Sequence, residues 1–373
     1  MSVATQIGDQ QHEGKIPSHM LAAVYHGVND VRMETVPVPS IGAGELLIRV
    51  HTCGICGTDL KKISTGSHSA PRIFGHETAG DIVAIGSGVK KFAIGDRVMV
   101  FHHIPCRQCY YCRNKVFSQC PVYKKVGVTA GYEPSGGGFS EYVRVMDRIV
   151  ENGGVIKIPD DVSYEQASYI EPVNTVMKGI ETLRLQAGET VLVIGQGPIG
   201  LMMGFLARRA GTSVIASDLF AQRLTISKSF GLTTTIDASA VNAVERTRDL
   251  TEGRGADAVI LAVAGNALIR PAMDATRPGG RVLLFAQTQH SDAVIDSAAV
   301  CVDEKALLGS YSASVDLQEE SVRFVFSHEM DLASLYSHRF PLQQAVEALN
   351  LAAHPKPDTM KIAIQPGSVR EGI

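Results

Sequence analysis

The first part of the chain has the pattern of short strands separated by turns. Between about Met20 and Val150, apolar and polar positions alternate over a few residues at a time, and glycine, proline or aspartate separates the segments. This two-residue period is typical of half-buried strands. The segments are LAAVYH, VRMETV, ELLIRVHT, AGDIVAIG, DRVMVF and SEYVRV. Together they predict a β-rich, barrel-like domain.

From about Gly188 onwards, predicted strands alternate with predicted helices. The strands are ETVLVIG, SVIASD, ADAVILAV and GRVLLF, and the helices begin with PIGLMMGFLARRAG and FAQRLTISKSFG. Strand followed by helix, several times over, predicts an α/β fold with a parallel sheet covered on both faces. Mixed character returns near Asp316. The closing segment MKIAIQ predicts a strand that rejoins the first domain.

Length and charge limit the organisation and the partners. A chain of 373 residues is longer than one hydrophobic core usually supports. We expect a first domain at 20–175, completed by 316–373, a second at 176–315, and an N-terminal extension at 1–19. A net charge of -3 favours neither nucleic acid nor an anionic membrane as partner. The first residues lack the apolar core of a secretory signal, so we expect a cytoplasmic protein.

A glycine-rich loop follows the strand ETVLVIG. Gly195, Gly197 and Gly200 have the G-x-G-x-x-G spacing, and Pro198 and Ile199 complete the loop where a helix starts. The first glycine allows a tight turn, the second lets the backbone approach a pyrophosphate, and the third lets helix and strand pack closely. Packing alone is the alternative explanation. The strand before and the helix after favour a dinucleotide site.

An acidic residue ends the next predicted strand. Asp218 lies about 20 residues after the loop, where a carboxylate can accept hydrogen bonds from the ribose hydroxyls. Because a carboxylate would repel a 2′-phosphate, we expect NAD rather than NADP. Arg223 complicates this expectation, since a nearby arginine is able to meet a phosphate.

Four of the seven cysteines lie within one short segment, Cys106-x2-Cys109-x2-Cys112-x7-Cys120. Four thiolates complete a tetrahedral zinc shell, and a shell without an open position is structural rather than catalytic. The metal would fold a lobe that is too small for a core of its own. An iron–sulfur cluster and free surface thiols are the alternatives.

A second group of candidate ligands precedes this lobe. Cys56 occurs in CGICGTD, His76 and Glu77 occur in FGHETAG, and Glu171 stands before Pro172. Three protein ligands and one exchangeable position form the usual catalytic zinc site. Zinc would lower the pKa of a bound alcohol, and a nicotinamide would take the hydride. Taken singly, each residue is more often part of a packed core.

With these motifs in order, residues 20–366 resemble the zinc-dependent medium-chain dehydrogenase family. The most specific pattern is Gly75-His76-Glu77-x2-Gly80-x5-Gly86-x2-Val89. The resemblance implies a GroES-like β-rich catalytic domain, a Rossmann domain, and an active site between them. Glu171 before Pro172 places the chain nearest to the sorbitol and threonine dehydrogenase branch, because classical alcohol dehydrogenases have a cysteine ligand there.

The resemblance also implies roles for single residues. Cys56 and His76 would be zinc ligands, and Glu77 and Glu171 would be ligands or hold the zinc-bound water. Thr58 matches the hydroxyl that relays the alcohol proton. Asp59 matches the carboxylate that orients the zinc histidine. Lys61 stands where alcohol dehydrogenases have a relay histidine, so the outer proton path differs here.

The substrate pocket departs from that of sorbitol dehydrogenases. Ser312 and Ala313 take the place of an Arg-Tyr pair that grips the polyol, and Lys62 replaces a substrate-contacting tyrosine. His102 falls at a substrate-pocket position, where it would hydrogen-bond a hydroxyl or simply end a strand. These departures weaken the case for sorbitol itself.

The sequence therefore predicts an NAD-dependent enzyme with two zincs per chain, one catalytic and one structural. It would transfer a hydride from a secondary alcohol, such as a polyol or sugar-like alcohol. Amino-alcohol oxidation of the threonine type and cyclitol oxidation are alternatives, and a zinc-less nucleotide sensor is the alternative of another class. We expect a small-molecule partner and a homotetramer, or otherwise a homodimer.

Overall fold

The structure is a computed structural model that describes residues 16–123, 137–286 and 292–367. Most of the predicted N-terminal extension lies outside these residues. The described residues form two compact units: the first lies within 1–170, 338–354 and 362–373, and the second lies within 171–337 and 355–361. Compactness does not test whether each part folds by itself, so the predicted domain ranges stay a prediction.

The described residues form sixteen strands. They are β1 His19–Gly27, β2 Asp30–Pro37, β3 Leu46–Gly54, β4 Arg72–Ile73, β5 Glu77–Ile85, β6 Arg97–Val100, β7 Tyr142–Val145, β8 Val155–Lys157, β9 Thr190–Ile194, β10 Ser213–Asp218, β11 Thr234–Asp237, β12 Ala256–Leu261, β13 Thr276–Leu284, β14 Ala306–Gly309, β15 Tyr336–Pro341 and β16 Lys361–Gln365.

Twelve α-helices accompany these strands in the described residues. They are α1 Gly57–Thr65, α2 Tyr110–Arg113, α3 Asp147–Glu151, α4 Tyr164–Ser168, α5 Ile170–Leu183, α6 Pro198–Arg209, α7 Ala221–Ser229, α8 Ala243–Leu250, α9 Ile269–Ala275, α10 Ser297–Cys301, α11 Gln318–Phe326 and α12 Ala345–Ala353. None of these helices has the length and apolar character needed to cross a bilayer.

The first unit is built on antiparallel sheets, as the alternating pattern predicts. A seven-stranded sheet has the order β15-β16-β3-β5-β6-β8, with β7 also pairing with β3, and a smaller sheet has the order β2-β1-β4. The closing segment MKIAIQ becomes β16, which pairs with β3. β16 therefore lies in the same sheet as β3.

The second unit contains a six-stranded sheet of order β11-β10-β9-β12-β13-β14. Every pairing in it is parallel. Numbered along the chain, this is the order 3-2-1-4-5-6 of a doubly wound dinucleotide-binding sheet. All six residues of β12 are buried, as expected for a central parallel strand. The predicted α/β fold is confirmed.

Candidate metal and cofactor sites

The start of α1 positions Cys56. The residue is the N-cap, in extended conformation, and its Sγ accepts a hydrogen bond from the Thr58 N–H at 3.5 Å. In return, the Asp59 Oδ2 accepts one from the Cys56 N–H at 3.2 Å. This capping box satisfies two backbone donors that the helix leaves unpaired. It also holds the thiol at the end of the helix, beside β5.

Asp59 joins this helix start to His76. Its Oδ1 lies 3.0 Å from the His76 Nδ1, and both side chains are buried. Burial would raise the pKa of the Asp59 carboxyl, but the charge and hydrogen bond of His76 lower it below its ordinary value, with help from Lys62 and the Cys56 N–H. A carboxylate on Nδ1 leaves Nε2 as the nitrogen available to a metal.

His76 and Glu77 lie where the chain enters β5, so both side chains follow from one strand start. The ligand atoms of Cys56, His76 and Glu77 all lie within 4.8 Å of one another. Glu77 is 1% exposed. A thiolate, an imidazole and a carboxylate are the ligand types that zinc takes, and three of them leave a fourth position open. The donor set therefore fits a catalytic zinc.

His102 packs against His76 of this group. Its ring centroid is 4.7 Å from that of His76 and 4.0 Å from that of His103. Within the described part of the chain, the buried Nδ1 of His102 has no hydrogen-bond partner. Burial lowers the pKa of His102 well below its ordinary value, and the charges of His103, His76 and Lys62 lower it further. This environment thus disfavours the charged form of the ring, and it leaves a buried polar atom available to a ligand.

The remaining predicted residues of this group lie on α1 and α5. Thr58 is half-buried in the first turn of α1, and Lys61 and Lys62 belong to the same helix. The Lys62 Nζ lies 5.6 Å from the centroid of the Phe74 ring. Glu171 is buried in the first turn of α5, which belongs to the second unit. The ligand atoms that come together at this site are thus those of Cys56, His76 and Glu77, all in the first unit.

The four cysteines of the lobe come together as the spacing predicts. Their four Sγ atoms lie within 4.8 Å of one another. Two of the separations are 3.5 Å, from Cys109 to Cys112, and 3.9 Å, from Cys106 to Cys112. Four sulfurs at about 2.3 Å from zinc are about 3.8 Å apart in a regular tetrahedron. The spacing of the sulfurs fits a closed zinc shell.

The backbone of the lobe favours thiolate at one of these cysteines. The N–H of Gln108, followed by that of Cys109, lowers the pKa of Cys106 to about 6. Arg107 has the left-handed φ of 60° that such a tight turn requires. Hydrogen bonds from backbone N–H groups favour the charged form of a ligand, and the thiolate is the form that binds metal.

In the glycine loop of the second unit, the backbone conformation and the close contacts explain why glycine occupies each position. Gly195 has a φ of +95°, and a Cβ there would lie 2.3 Å from Val263. A Cβ on Gly200 would lie 1.8 Å from the Gly195 carbonyl oxygen, whereas a Cβ on Gly197 would meet no atom within 4 Å. Gly197 is the N-cap of α6, and Pro198 begins the helix. Open space at a helix N-terminus fits a pyrophosphate.

Asp218 ends β10 beside this loop. Its Oδ2 accepts a hydrogen bond from the Gln196 N–H at 2.6 Å, and its Oδ1 accepts one from the Phe220 N–H at 2.9 Å. The Arg223 Nη1 lies 3.9 Å from the Asp218 Oδ2, and its Nη2 donates to the Thr359 carbonyl oxygen. The structure therefore places the arginine next to the carboxylate.

Gln196 is a residue that the sequence pattern passes over, because it occupies a variable position of the motif. Its side chain is fully buried. The Nε2 donates to the Val193 carbonyl oxygen, and the Oε1 accepts from the Ser227 hydroxyl. These bonds hold the N–H that supports Asp218. The sequence feature that could have pointed to Gln196 is a polar residue between two glycines of the motif.

Comparison with known proteins supports both parts of this description. The family model "Alcohol dehydrogenase GroES-like domain" matches residues 42–160, and "Zinc-binding dehydrogenase" matches residues 198–327. The chain is 31% identical to sorbitol dehydrogenase of Bacillus subtilis, covering 94% of this chain and 98% of that one. It is 30% identical to L-threonine 3-dehydrogenase of Proteus mirabilis, covering 84% and 90%.

Among solved structures, a zinc-binding dehydrogenase of Sinorhizobium meliloti bound to NADP is similar, with a TM-score of 0.84 and 27% identity. The match covers 94% of this chain and all of that one. These findings confirm the predicted fold and the resemblance to a zinc-type, dinucleotide-binding family. The chain therefore belongs to the zinc-dependent medium-chain dehydrogenase family and is an enzyme of the alcohol dehydrogenase type.

Proposed function

We propose that this enzyme oxidises a secondary alcohol of the polyol type with NAD as hydride acceptor and zinc as Lewis acid. The observation that carries the proposal is the group of Cys56, His76 and Glu77, with its histidine oriented by Asp59. Three protein ligands leave one position for the substrate oxygen. When bound, zinc would lower the pKa of that alcohol, and NAD would accept the hydride.

Residues of the chain would bind the metal, orient its histidine ligand and relay the proton. Cys56, His76 and Glu77 would hold the metal, and Asp59 would fix the ring of His76. We assign the relay of the alcohol proton to Thr58, which is half-buried beside Cys56. We assign Glu171 to the metal-bound water or to the metal itself, as the family resemblance implies. Burial of its carboxyl supports this assignment, because a glutamate is rarely buried without a partner.

The preference for NAD rests on Asp218. Two backbone N–H groups fix its carboxylate at the end of β10. A fixed negative charge favours ribose hydroxyls and disfavours a 2′-phosphate. Arg223 works against this preference, since it lies 3.9 Å from the carboxylate, and a similar protein was crystallised with NADP. We propose that the aspartate dominates, because its oxygens are already oriented.

Two zincs per chain are proposed, with the second in the lobe of Cys106, Cys109, Cys112 and Cys120. A closed shell of four thiolates makes this second zinc structural.

We also propose a homotetramer in the cytoplasm, or otherwise a homodimer. β14 is an edge strand of the six-stranded sheet, and edge strands are frequent sites of pairing between chains. Light scattering of the purified protein would give the number of chains.

Polyols are favoured over the alternatives by His102. Its ring packs against that of His76, and a second hydroxyl of a polyol would satisfy its buried Nδ1, which has no partner among the described residues. Similarity to sorbitol dehydrogenase supports this substrate class, while similarity to L-threonine 3-dehydrogenase keeps amino alcohols as the second candidate. The presence of all the metal ligands argues against a zinc-less sensor.

The test is NAD reduction, followed at 340 nm, over a panel of polyols, sugars, amino alcohols and simple secondary alcohols. We expect turnover with polyols, NAD preferred to NADP, and loss of activity in Cys56→Ser. Cys301→Ser is the matched control, since Cys301 is exposed and belongs to neither ligand group. A preference for NADP would refute the assignment of Asp218, and full activity of Cys56→Ser would refute the catalytic zinc.

A further inference from the structure

One polar contact in the second unit joins residues far apart in the sequence. Asn174 lies on α5, one turn after Glu171, and is 1% exposed. Its Nδ2 donates to the Ser314 carbonyl oxygen at 3.0 Å, and its Oδ1 accepts from the Ser314 N–H at 2.7 Å. The same Nδ2 lies 3.3 Å from the hydroxyl of Ser321 on α11. The amide is thus fully used, in a place where solvent does not compete.

A second anchor acts on the same segment. The Nζ of Lys178, one turn further along α5, donates to the Tyr311 carbonyl oxygen at 2.7 Å. Both ends of the stretch from Tyr311 to Ser314 are therefore bound to one helix. Ser312, between them, has a left-handed φ of 61°, which is uncommon for a residue with a side chain. The two anchors thus flank a residue in an uncommon backbone conformation.

The position of this stretch in the sheet points to a ligand. It directly follows β14, at the carboxyl end of a parallel sheet, where ligands of such folds bind. The hydroxyl of Ser310 is buried there, and it has no hydrogen-bond partner among the residues that the structure describes. In an order of 3-2-1-4-5-6, the half that contains β9 to β11 takes one mononucleotide and the half that contains β12 to β14 takes the other.

Asp218 belongs to the first half and is assigned to the adenosine ribose. The half that ends in β14 therefore receives the nicotinamide mononucleotide. We propose that Asn174 is a positioning residue, which, together with Lys178, holds residues 310–314 in the conformation that the nicotinamide half of the cofactor requires. This inference rests on the proposed use of a nicotinamide cofactor, but not on the identity of the alcohol.

These contacts predict that variants of Asn174 weaken the binding of NADH but not that of ADP-ribose. Asn174→Ala removes both hydrogen bonds to Ser314, and Asn174→Asp keeps the acceptor but loses both donors. Each variant should release residues 310–314 without touching the pyrophosphate loop or Asp218. NADH should then bind about tenfold more weakly, as expected for the loss of one or two buried hydrogen bonds. ADP-ribose, which lacks the nicotinamide, should bind within about twofold of the unaltered affinity, because its contacts are independent.

The measurement is a fluorescence titration of the full-length protein with NADH, and a competition titration with ADP-ribose. Lys178→Met removes only the anchor at Tyr311 and should give the same selective loss of NADH binding, which provides a second test if Asn174→Ala does not fold. Thr182→Val is the control, because the Thr182 hydroxyl bonds only within α5, to the Lys178 carbonyl oxygen. It should leave both affinities unchanged.

A selective loss of NADH affinity supports the inference, because a general loss of structure would weaken both ligands. Equal weakening of NADH and ADP-ribose, or no change in either, would overturn it. If the unaltered protein binds NADH but oxidises no polyol, the proposed substrate fails while the role of Asn174 stands on its own data. If the unaltered protein binds no NADH, both proposals fall.

Discussion

Asp59 shows how much one side chain can determine. Each of its carboxylate oxygens accepts one hydrogen bond, from the Cys56 N–H and from the His76 Nδ1. One residue therefore caps the start of α1, helps to align the Cys56 thiol, and leaves the Nε2 of His76 for the metal. Nothing in the pattern around GTD distinguishes it from an ordinary helix cap, so its role in the sequence analysis came from the family resemblance.

Asp59→Asn should weaken metal binding without removing a metal ligand. An amide has one acceptor oxygen in place of two. It can therefore accept a hydrogen bond from the Cys56 N–H or from the His76 Nδ1, but not one on each oxygen as Asp59 does. Loss of the partner that orients a metal histidine typically lowers metal affinity by about 10- to 100-fold. Zinc competition with a chelator, followed by metal analysis, measures this affinity. We expect one of two zincs to be lost at a lower chelator concentration.

The matched control is Asp30→Asn, because Asp30 forms an ion pair with Arg32 on the surface of β2. It should retain both metals at every chelator concentration that the unaltered protein tolerates. An Asp59→Asn variant with the same chelator profile as Asp30→Asn would show that Asp59 caps α1 and does no more.

At the scale of elements, two helices begin where a ligand is expected. α1 begins after Cys56, and α6 begins after Gly197. A helix start supplies unpaired N–H groups and a positive dipole, which suit a thiolate in the first case and a phosphate in the second. The same physical feature thus serves a metal ligand in one unit and the cofactor loop in the other.

Alanine variants of two loop glycines should affect different properties, cofactor affinity in one case and thermal stability in the other. Gly197→Ala adds a methyl group into space with no atom within 4 Å, so the fold should be unchanged while the pyrophosphate loses room. Gly200→Ala drives a Cβ to 1.8 Å from the Gly195 carbonyl oxygen. Overpacking of this kind typically costs about 1–3 kcal/mol or more. Thermal unfolding and NADH titration, run on both variants, measure the two effects.

We expect Gly197→Ala to keep its melting temperature and lose NADH affinity, and Gly200→Ala to lose melting temperature. Gly367→Ala is a useful control, since a Cβ there also meets no atom within 4 Å and the residue belongs to the first unit. If Gly197→Ala bound NADH normally, the open space at the start of α6 would not be the pyrophosphate site.

These elements differ in how far the sequence could predict them. β9, α6 and β10 were predictable because apolar period, glycine spacing and a terminal acid agree within one short stretch. The contacts that complete the sites were not, because they join distant positions. Gln196 and Ser227 are 31 residues apart, and Asn174 and Ser314 are 140 residues apart. Without an alignment, a single sequence carries no signal for such pairs.

For the molecule as a whole, the cysteine lobe is a local unit with its own source of stability. Its four thiols lie within 15 residues, and their spacing alone predicted the group that the structure shows. A segment of this length buries too little apolar surface to fold unaided, so a metal would supply the missing free energy. The lobe and the Cys56 group belong to the same unit but share no ligand.

Cys112→Ser should therefore remove one metal and leave the other. Serine does not replace a buried thiolate in a four-sulfur shell, so we expect about half the zinc content of the unaltered protein and a lower melting temperature. Because Cys56, His76 and Glu77 are unaffected, the remaining zinc should still support NAD reduction at temperatures where the variant is folded. Metal analysis and activity on the same sample distinguish the two sites. Unchanged zinc content would refute a metal in the lobe, and loss of both metals would show that the lobe maintains the Cys56 group as well.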